Sequence, residues 1–429
     1  MSEASSQSDF AGAPPQSASV GAARSDAVDL FELFLARTSA SPAETALREK
    51  TRGLRRSVTW SELEREVSFL AVGIRELGFS RGDVAVVVGE TRRRLLTTVL
   101  AVLALGGVVL PLDPRAGASS IGAALEGVRV RVAFVENRGQ LDAVATFLGG
   151  AVSSIIVDGR RASGRLEHEG IRDYETVCDA GARSAGWLSY ERRAPTAPAF
   201  QFVRAGERGE GARTVRHLDL IAAGAAASGL AGLGTADEVV VAEPLASSES
   251  AVVAWSAWLT SGFTLNTVEH PESAAVDIRE VAPSVAFASD GALTDLRDRT
   301  ALRIGAAGSA RRRLFDWALH RASPVSSEAS LATRPGGSSF AGWVARTAVL
   351  APLADRLGLS RLRVVIGTGE VGEYSRRFVA SLGADVREVA VPWSSHAPLR
   401  SERRDVETDT SKLSASWPPA SGTVQDQVA

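Results

Sequence analysis

Residues 59–88 read TWSELEREVSFLAVGIRELGFSRGDVAVVV. Thr59, with Glu62 three residues on, forms the capping box that opens a helix. Leu63, Val67, Leu70, Ile74 and Leu77 then recur at helical spacing and give that helix one apolar face. Gly78 ends it, and the turn Ser80-Arg81-Gly82-Asp83 leads into Val84-Ala85-Val86-Val87-Val88. Apolar residues without alternation suit a strand covered on both faces, the habit of parallel sheets with crossover helices.

The same rhythm extends outward in both directions. Strands are expected at 107–112, 130–135, 153–157, 199–203, 238–242, 263–268, 284–288 and 363–366. Helices are expected at 91–105, 138–148, 217–231, 247–260, 309–321, 340–357 and 373–382. This alternation defines an α/β fold, with two adjacent layered subdomains and mostly parallel sheets. The polar stretch 159–197 suggests a boundary between a first subdomain, 27–190, and a second, 191–396. Residues 1–26 and 397–429 are rich in small and polar residues and are expected to be disordered tails.

Composition narrows the functional classes. A chain of 429 residues exceeds one ordinary domain, and 45% hydrophobic with 23% charged residues is typical of a soluble globular protein. The net charge of −2 gives no reason to expect nucleic acid or an anionic membrane as partner. Arg92-Arg93-Arg94 and Arg311-Arg312-Arg313 read as solvated helix surface. The lone Cys178 precludes an internal disulfide and lies near no evident base, and a reducing cytoplasm fits it. The five histidines form no H-x-x-x-H pair, so no metal site is expected. The start of the chain has no apolar core and is not a secretory signal. Leu95 to Leu112 is interrupted by Thr97, Thr98, Gly106 and Gly107. A membrane span needs about 20 apolar residues, so this stretch reads as a buried helix and strand.

Several phrases, in order, resemble the adenylate-forming (AMP-binding) superfamily, and within it the long-chain acyl-CoA synthetase branch. They begin with Thr59-Trp60-Ser61-Glu62-Leu63, Gly73-Ile74-Arg75-Glu76-Leu77-Gly78, Arg81-Gly82-Asp83-Val84-Ala85 and the run from Ala104 to Leu112. Asp237-Glu238-Val239-Val240 with Pro244-Leu245, then Val281-Ala282-Pro283-Ser284-Val285, follow, the last resembling the approach to the family's acyl pocket. Leu314-Phe315-Asp316-Trp317-Ala318-Leu319 and the residues Gly367, Gly369, Phe378, Leu382 and Gly383 complete the match, which spans roughly 27–396. The resemblance implies the fold of the N-terminal part of such enzymes.

The same resemblance implies an ATP site, and there the chain departs from the pattern. Adenylation needs a loop for the phosphates, a carboxylate for Mg²⁺ and a cation for the reacting phosphate. The family's Ser/Thr/Gly loop ending in Pro-Lys-Gly aligns with residues 203–213, which keep Gly206, Gly209, Gly211 and Arg213 as a remnant. The hydroxyls are gone, Gly211 takes the lysine position, and Glu207 and Glu210 add negative charge. Trp393 and Ser394 fall where the family's adenine turn has Thr and Glu, and Glu388 comes several residues too early. The ribose-binding Asp, the hinge and the C-terminal lid domain with its lysine are not expected within these residues. Lys50 and Lys412 are the only lysines, and neither matches that role.

The expectation is therefore an acyl-CoA synthetase-like pseudoenzyme acting as a binding or interaction protein, with no cofactor. Its partner is expected to be another protein, a second copy of the chain, or an acyl chain in the remnant pocket. Trp393 is the expected interaction residue, unless it turns inward. The alternative is an active or split fatty acid–CoA ligase that uses ATP and Mg²⁺ with a separate C-terminal domain. His217 reads as a hydrogen-bonding residue at a helix start. Trp255 and Trp258 read as core or as lining of an apolar pocket.

Overall fold

The computed structural model describes residues 29–159, 169–184, 188, 190–203, 213–306, 308–322 and 340–391. In chain order the first half supplies α1 (Leu30–Ala40), β1 (Thr45–Thr51), β2 (Leu54–Thr59), α2 (Trp60–Glu76), β3 (Val84–Val88), α3 (Arg93–Ala104) and β4 (Val108–Leu112). It continues with α4 (Ala118–Leu125), β5 (Val130–Val135), α5 (Arg138–Ala145), β6 (Val152–Val157), β7 (Ile171–Asp173), α6 (Tyr174–Arg183), β8 (Pro198–Phe202) and β9 (Arg213–Arg216). The second half opens with α7 (His217–Ala231), β10 (Glu238–Val241), α8 (Glu249–Ser261), β11 (Thr264–Thr267), α9 (Ala274–Val281) and β12 (Val285–Ala288). Then come α10 (Asp290–Ala306), α11 (Ser309–Ala322), α12 (Phe340–Val344), α13 (Ala351–Leu357), β13 (Val364–Thr368), α14 (Glu373–Ser381) and β14 (Asp385–Val389). A π-helical turn, Ala345–Leu350, joins α12 to α13.

The capping box at Thr59 is formed. Glu62 N–H donates to Thr59 Oγ1 at 3.2 Å, and Thr59 N–H donates to Glu62 Oε2 at 2.9 Å. The apolar face of α2 is buried at Leu63, Val67, Leu70 and Ile74. Its crossing with α6 is close enough to require glycine on both sides. A Cβ on Gly73 would lie 2.1 Å from the Val177 carbonyl oxygen, and one on Gly181 would lie 1.9 Å from that of Phe69.

The strands form two seven-stranded sheets, in the orders β7-β6-β5-β3-β4-β8-β9 and β14-β13-β12-β10-β11-β1-β2. Pairing is parallel except in the edge hairpins β1–β2 and β8–β9. The sheets do not divide at residue 190. β8 and β9 complete the sheet begun by β3, and the early hairpin β1–β2 completes the sheet of the second half. The described residues accordingly lie in one compact unit.

The main core combines α1, α2, α3, α7 and α8 with residues of both sheets, such as Val109 and Phe200 of one and Val239 and Leu265 of the other. Trp60 stacks on Trp258 with ring centroids 4.7 Å apart, and Trp258 Nε1–H donates to the Ala46 carbonyl at 2.9 Å. Trp255 meets Phe200 edge-on at 5.6 Å. Both tryptophans are core. No helix among the described residues is long and apolar enough to cross a membrane.

Candidate functional site

Ligands of open parallel sheets sit beyond the carboxyl ends of the strands, where neighbouring strands diverge. In the second sheet that divergence falls between β10 and β12. They share the single pair Val239↔Val285, whereas β12 and β13 stay together from Val285↔Val364 to Ala288↔Gly367. Beyond the shared pair a cavity of about 200 Å³ opens in the seam. Its walls come from both faces of the sheet: Ala251 and Ala254 of α8 on one side, Leu293 and Leu296 of α10 and Val379 of α14 on the other. Small residues such as Ala286 and Ala288 on β12 leave the space unfilled, and only Glu243 and Ser250 bring polar side chains to it.

The polar groups around this seam are already engaged. The Ser250 and Thr368 hydroxyls bond to each other at 2.8 Å in a buried position. The Ser248 hydroxyl donates to the Glu243 carboxylate. Asp290 Oδ1 accepts from Gly372 N–H at 3.0 Å and from the Ser375 hydroxyl at 2.6 Å. Glu388 Oε1 accepts from Val371 N–H at 2.5 Å and pairs with Arg376. Two carboxylates thus hold the start of α14 just after the turn Gly367-Thr368-Gly369-Glu370, in which Gly369 adopts φ +86°. The Asp290 and Glu388 carboxylates serve backbone N–H groups, a hydroxyl and an arginine. Among the described residues no group of three or more His, Cys, Asp or Glu side chains is placed to hold a metal ion.

The strand ends of the first sheet carry ion pairs, and they correct one expectation. Arg92-Arg93-Arg94 is not solvated surface: Arg92 and Arg94 are buried. Arg92 pairs with Glu136 and also donates to the carbonyls of Val268, at 3.4 Å, and Glu269, at 2.6 Å, so it ties the two sheets together. Arg94 pairs with Asp158 at 2.7 Å and with Glu175, and lies 4.4 Å over the Tyr174 ring. Arg93 reaches Glu66 at 2.8 Å. The run sits where α3 begins, facing acids at the ends of β5 and β6, so its charge is met within the fold. Burial raises the Glu90 carboxyl at the same junction above its usual range, against the attraction of Arg92. Arg311, Arg312 and Arg313 are exposed, as expected.

His217 opens α7, and its buried Nδ1 accepts from Leu30 N–H at 3.2 Å. That bond places the ring proton on Nε2. Burial lowers its pKa from 6.5 to about 4, Asp29 opposing and Arg193 adding to the shift. Burial pushes the Cys178 thiol up to about 12, with Glu66 adding to the effect, and leaves it no nucleophile. Lys50 lies in the fold between Asp277 and Glu280, 2.8 Å from each.

Of the remnant phosphate loop, Arg213 opens β9 opposite Phe202, so 203–213 connects the strands of an edge hairpin. Gly206, Gly209, Gly211 and Trp393 lie outside the described residues. The structure therefore brings together the seam residues, which sequence reasoning touched through Val239–Val240, Val281–Val285, Phe378 and Leu382. Glu243, Ser250 and Asp290 were missed, and their one signal was position just after or near a strand end.

Residues 34–202 match the family model of the AMP-binding enzyme. Over 83 residues, 19% of this chain and 3% of the other, the sequence is 34% identical to naringenin synthase of Pestalotiopsis fici (strain W106-1 / CGMCC3.15140). The fold is similar to acetoacetyl-CoA synthetase from Streptomyces lividans, with a TM-score of 0.57 and 18% identity, over 84% of this chain and 51% of that one. It is also similar to a long-chain-fatty-acid-CoA ligase from Archaeoglobus fulgidus, with a TM-score of 0.58 and 14% identity, over 85% and 64% of the two chains. The adenylation domain of a carboxylate reductase from Mycobacterium chelonae gives 0.63 and 14%, over 86% and 59%. The chain thus has the N-terminal fold of adenylate-forming enzymes. Residues 34–202 carry the AMP-binding pattern, and the chain spans about half the length of the first of these synthetases.

Proposed function

We propose that this chain holds an acyl group in the β10–β12 seam and does not by itself form an acyl-adenylate. The apolar cavity carries the reading. A space with so few polar partners stays dry, so an acyl chain entering it displaces no bound water. At about 200 Å³ it is smaller than the about 300–1,000 Å³ of drug-sized ligand sites, which favours a short acyl group. Glu243 is the one charged lining residue. It repels a carboxylate beside it, so the head of the ligand points away from Glu243. The second half of the proposal rests on the engaged Asp290 and Glu388. It also rests on Gly211, Trp393 and Ser394 standing where the family has Lys, Thr and Glu.

A thermal-shift series tests both halves, since a ligand that binds only the folded state stabilises it by about 2.7 kcal/mol at a hundredfold excess over Kd. Short fatty acids or their thioesters are expected to raise Tm, and ATP with Mg²⁺ is not. No shift at any chain length would overturn the acyl site. Pyrophosphate release above background with ATP, Mg²⁺ and an acid would overturn the absence of adenylation.

A further inference from the structure

The cavity and an exposed basic surface share one element. The N-terminal half of α10 lines the cavity through Leu293 and Leu296, and its far end meets α11 in a tight helical hairpin. The turn is closed by Gly308 N–H donating to the Gly305 carbonyl at 3.1 Å and by Arg312 N–H donating to Gly308 at 3.2 Å. A Cβ on Gly305 would lie 3.6 Å from Arg312 Cδ, so the two helix ends are in contact there.

This closed end is basic and apolar together. From Arg299 to Phe315 the sequence has five arginines and no carboxylate. Arg299 is met by Asp295 at 2.9 Å, and Arg312 only by Asp316 at 3.9 Å. Arg303, Arg311 and Arg313 have no ion-pair partner among the described residues and are exposed. Leu302 and Leu314, each a little over one turn from the connection, are 67% and 49% exposed. A net charge of −2 for the whole chain averages over this local excess.

We propose that the closed end of the α10–α11 hairpin docks on an anionic lipid surface. Guanidinium groups gain from the negative potential of such a surface, by about fivefold in affinity per arginine. Exposed leucines beside them have a place to go, the boundary between headgroups and acyl chains. Nucleic acid offers the charge without that apolar layer, which is why the lipid surface is the better fit. Docking there sets one end of α10 on a membrane while its other end borders the cavity. The inference stands apart from the acyl reading, because vesicle binding is measured without free fatty acid.

The test is co-sedimentation of the full chain with vesicles of phosphatidylcholine alone or with added phosphatidylglycerol. Binding is expected only with phosphatidylglycerol, and it should fade at high salt as the charges are screened. Arg303→Glu combined with Arg311→Glu and Arg313→Glu should weaken it by at least about 100-fold. Leu302→Ser with Leu314→Ser should weaken it about tenfold. Neither set touches the core, so thermal unfolding should match the parent chain. Equal binding to both vesicles, no binding to either, or variants that bind as the parent does would overturn the proposal. So would retention on heparin without vesicle binding, which would assign the patch to an acidic macromolecule.

Discussion

Each sheet contains one place where two parallel strands meet at a single residue pair, and the two places have opposite fates. In the first sheet β4 and β8 share only Val109↔Phe200. In the second β10 and β12 share only Val239↔Val285. At the first seam Phe200 stacks against Phe202 at 5.8 Å and meets Trp255 edge-on, and the space is filled. At the second the lining includes alanines on β12 and α8 among larger side chains, and the space remains a cavity. The backbone irregularity is shared, so side-chain volume decides between filled core and cavity.

The largest effect should come from emptying the filled seam. Phe200→Ala removes a fully buried ring and should cost about 3–5 kcal/mol, read from the urea midpoint at unchanged m-value. A loss under about 1 kcal/mol would mean that the seam collapses easily, and the contrast with β10–β12 would lose its force.

The next effect lies beside the filled seam, where His217 N–H donates to the Ala197 carbonyl just before β8. The folded pKa of His217 is about 4 against an ordinary 6.5. Between those values the unfolded chain binds a proton that the folded chain does not. Stability is therefore full above about pH 6.5 and declines as pH falls towards 4, by about 3 kcal/mol from this group. Urea unfolding across that range should show the loss, and His217→Asn, which keeps an acceptor for Leu30 N–H, should flatten it. An unchanged pH slope in the variant would assign the acid sensitivity to other groups.

These two seams also show what the sequence could and could not carry. Buried inner strands such as β3, β5 and β13 are apolar runs and were legible at once. The four strands at the sheet edges, β2, β7, β9 and β14, read LRRSVT, IRD, RTVR and DVREV and were not legible as strands. Edge strands carry charge because it discourages pairing with another chain, and that charge hides them from a search for apolar runs. Arg92-Arg93-Arg94 was misread for a related reason. The acids that neutralise it, Glu66, Glu136 and Asp158, are distant in sequence and adjacent only in the fold. The cavity was hidden more deeply. Alanine in a packed core and alanine beside a void are the same letter, and the difference lies in neighbours that only the fold brings together.

The smallest effect is the most direct comparison of the seams, because each has an alanine next to its single shared pair. Ala199 precedes Phe200 on β8 and is fully buried among large side chains. Ala286 follows Val285 on β12 and lines the cavity. The same change, alanine to valine, adds two methyl groups to a strand position, where a β-branched residue is at ease. At Ala199 there is no room, and Ala199→Val should cost about 1–3 kcal/mol through displaced neighbours. At Ala286 the added methyls enter empty space and lose only the partial exposure they would otherwise have. Each fully buried CH₂-sized group contributes about 0.8 kcal/mol, so Ala286→Val should be neutral or stabilising by about 1 kcal/mol. It should also reduce the acyl-induced rise in Tm, since the valine occupies the ligand's space. Destabilisation at Ala286 equal to that at Ala199 would show that the cavity closes in solution. Stabilisation with an undiminished acyl shift would place the acyl group elsewhere and leave the seam a packing defect.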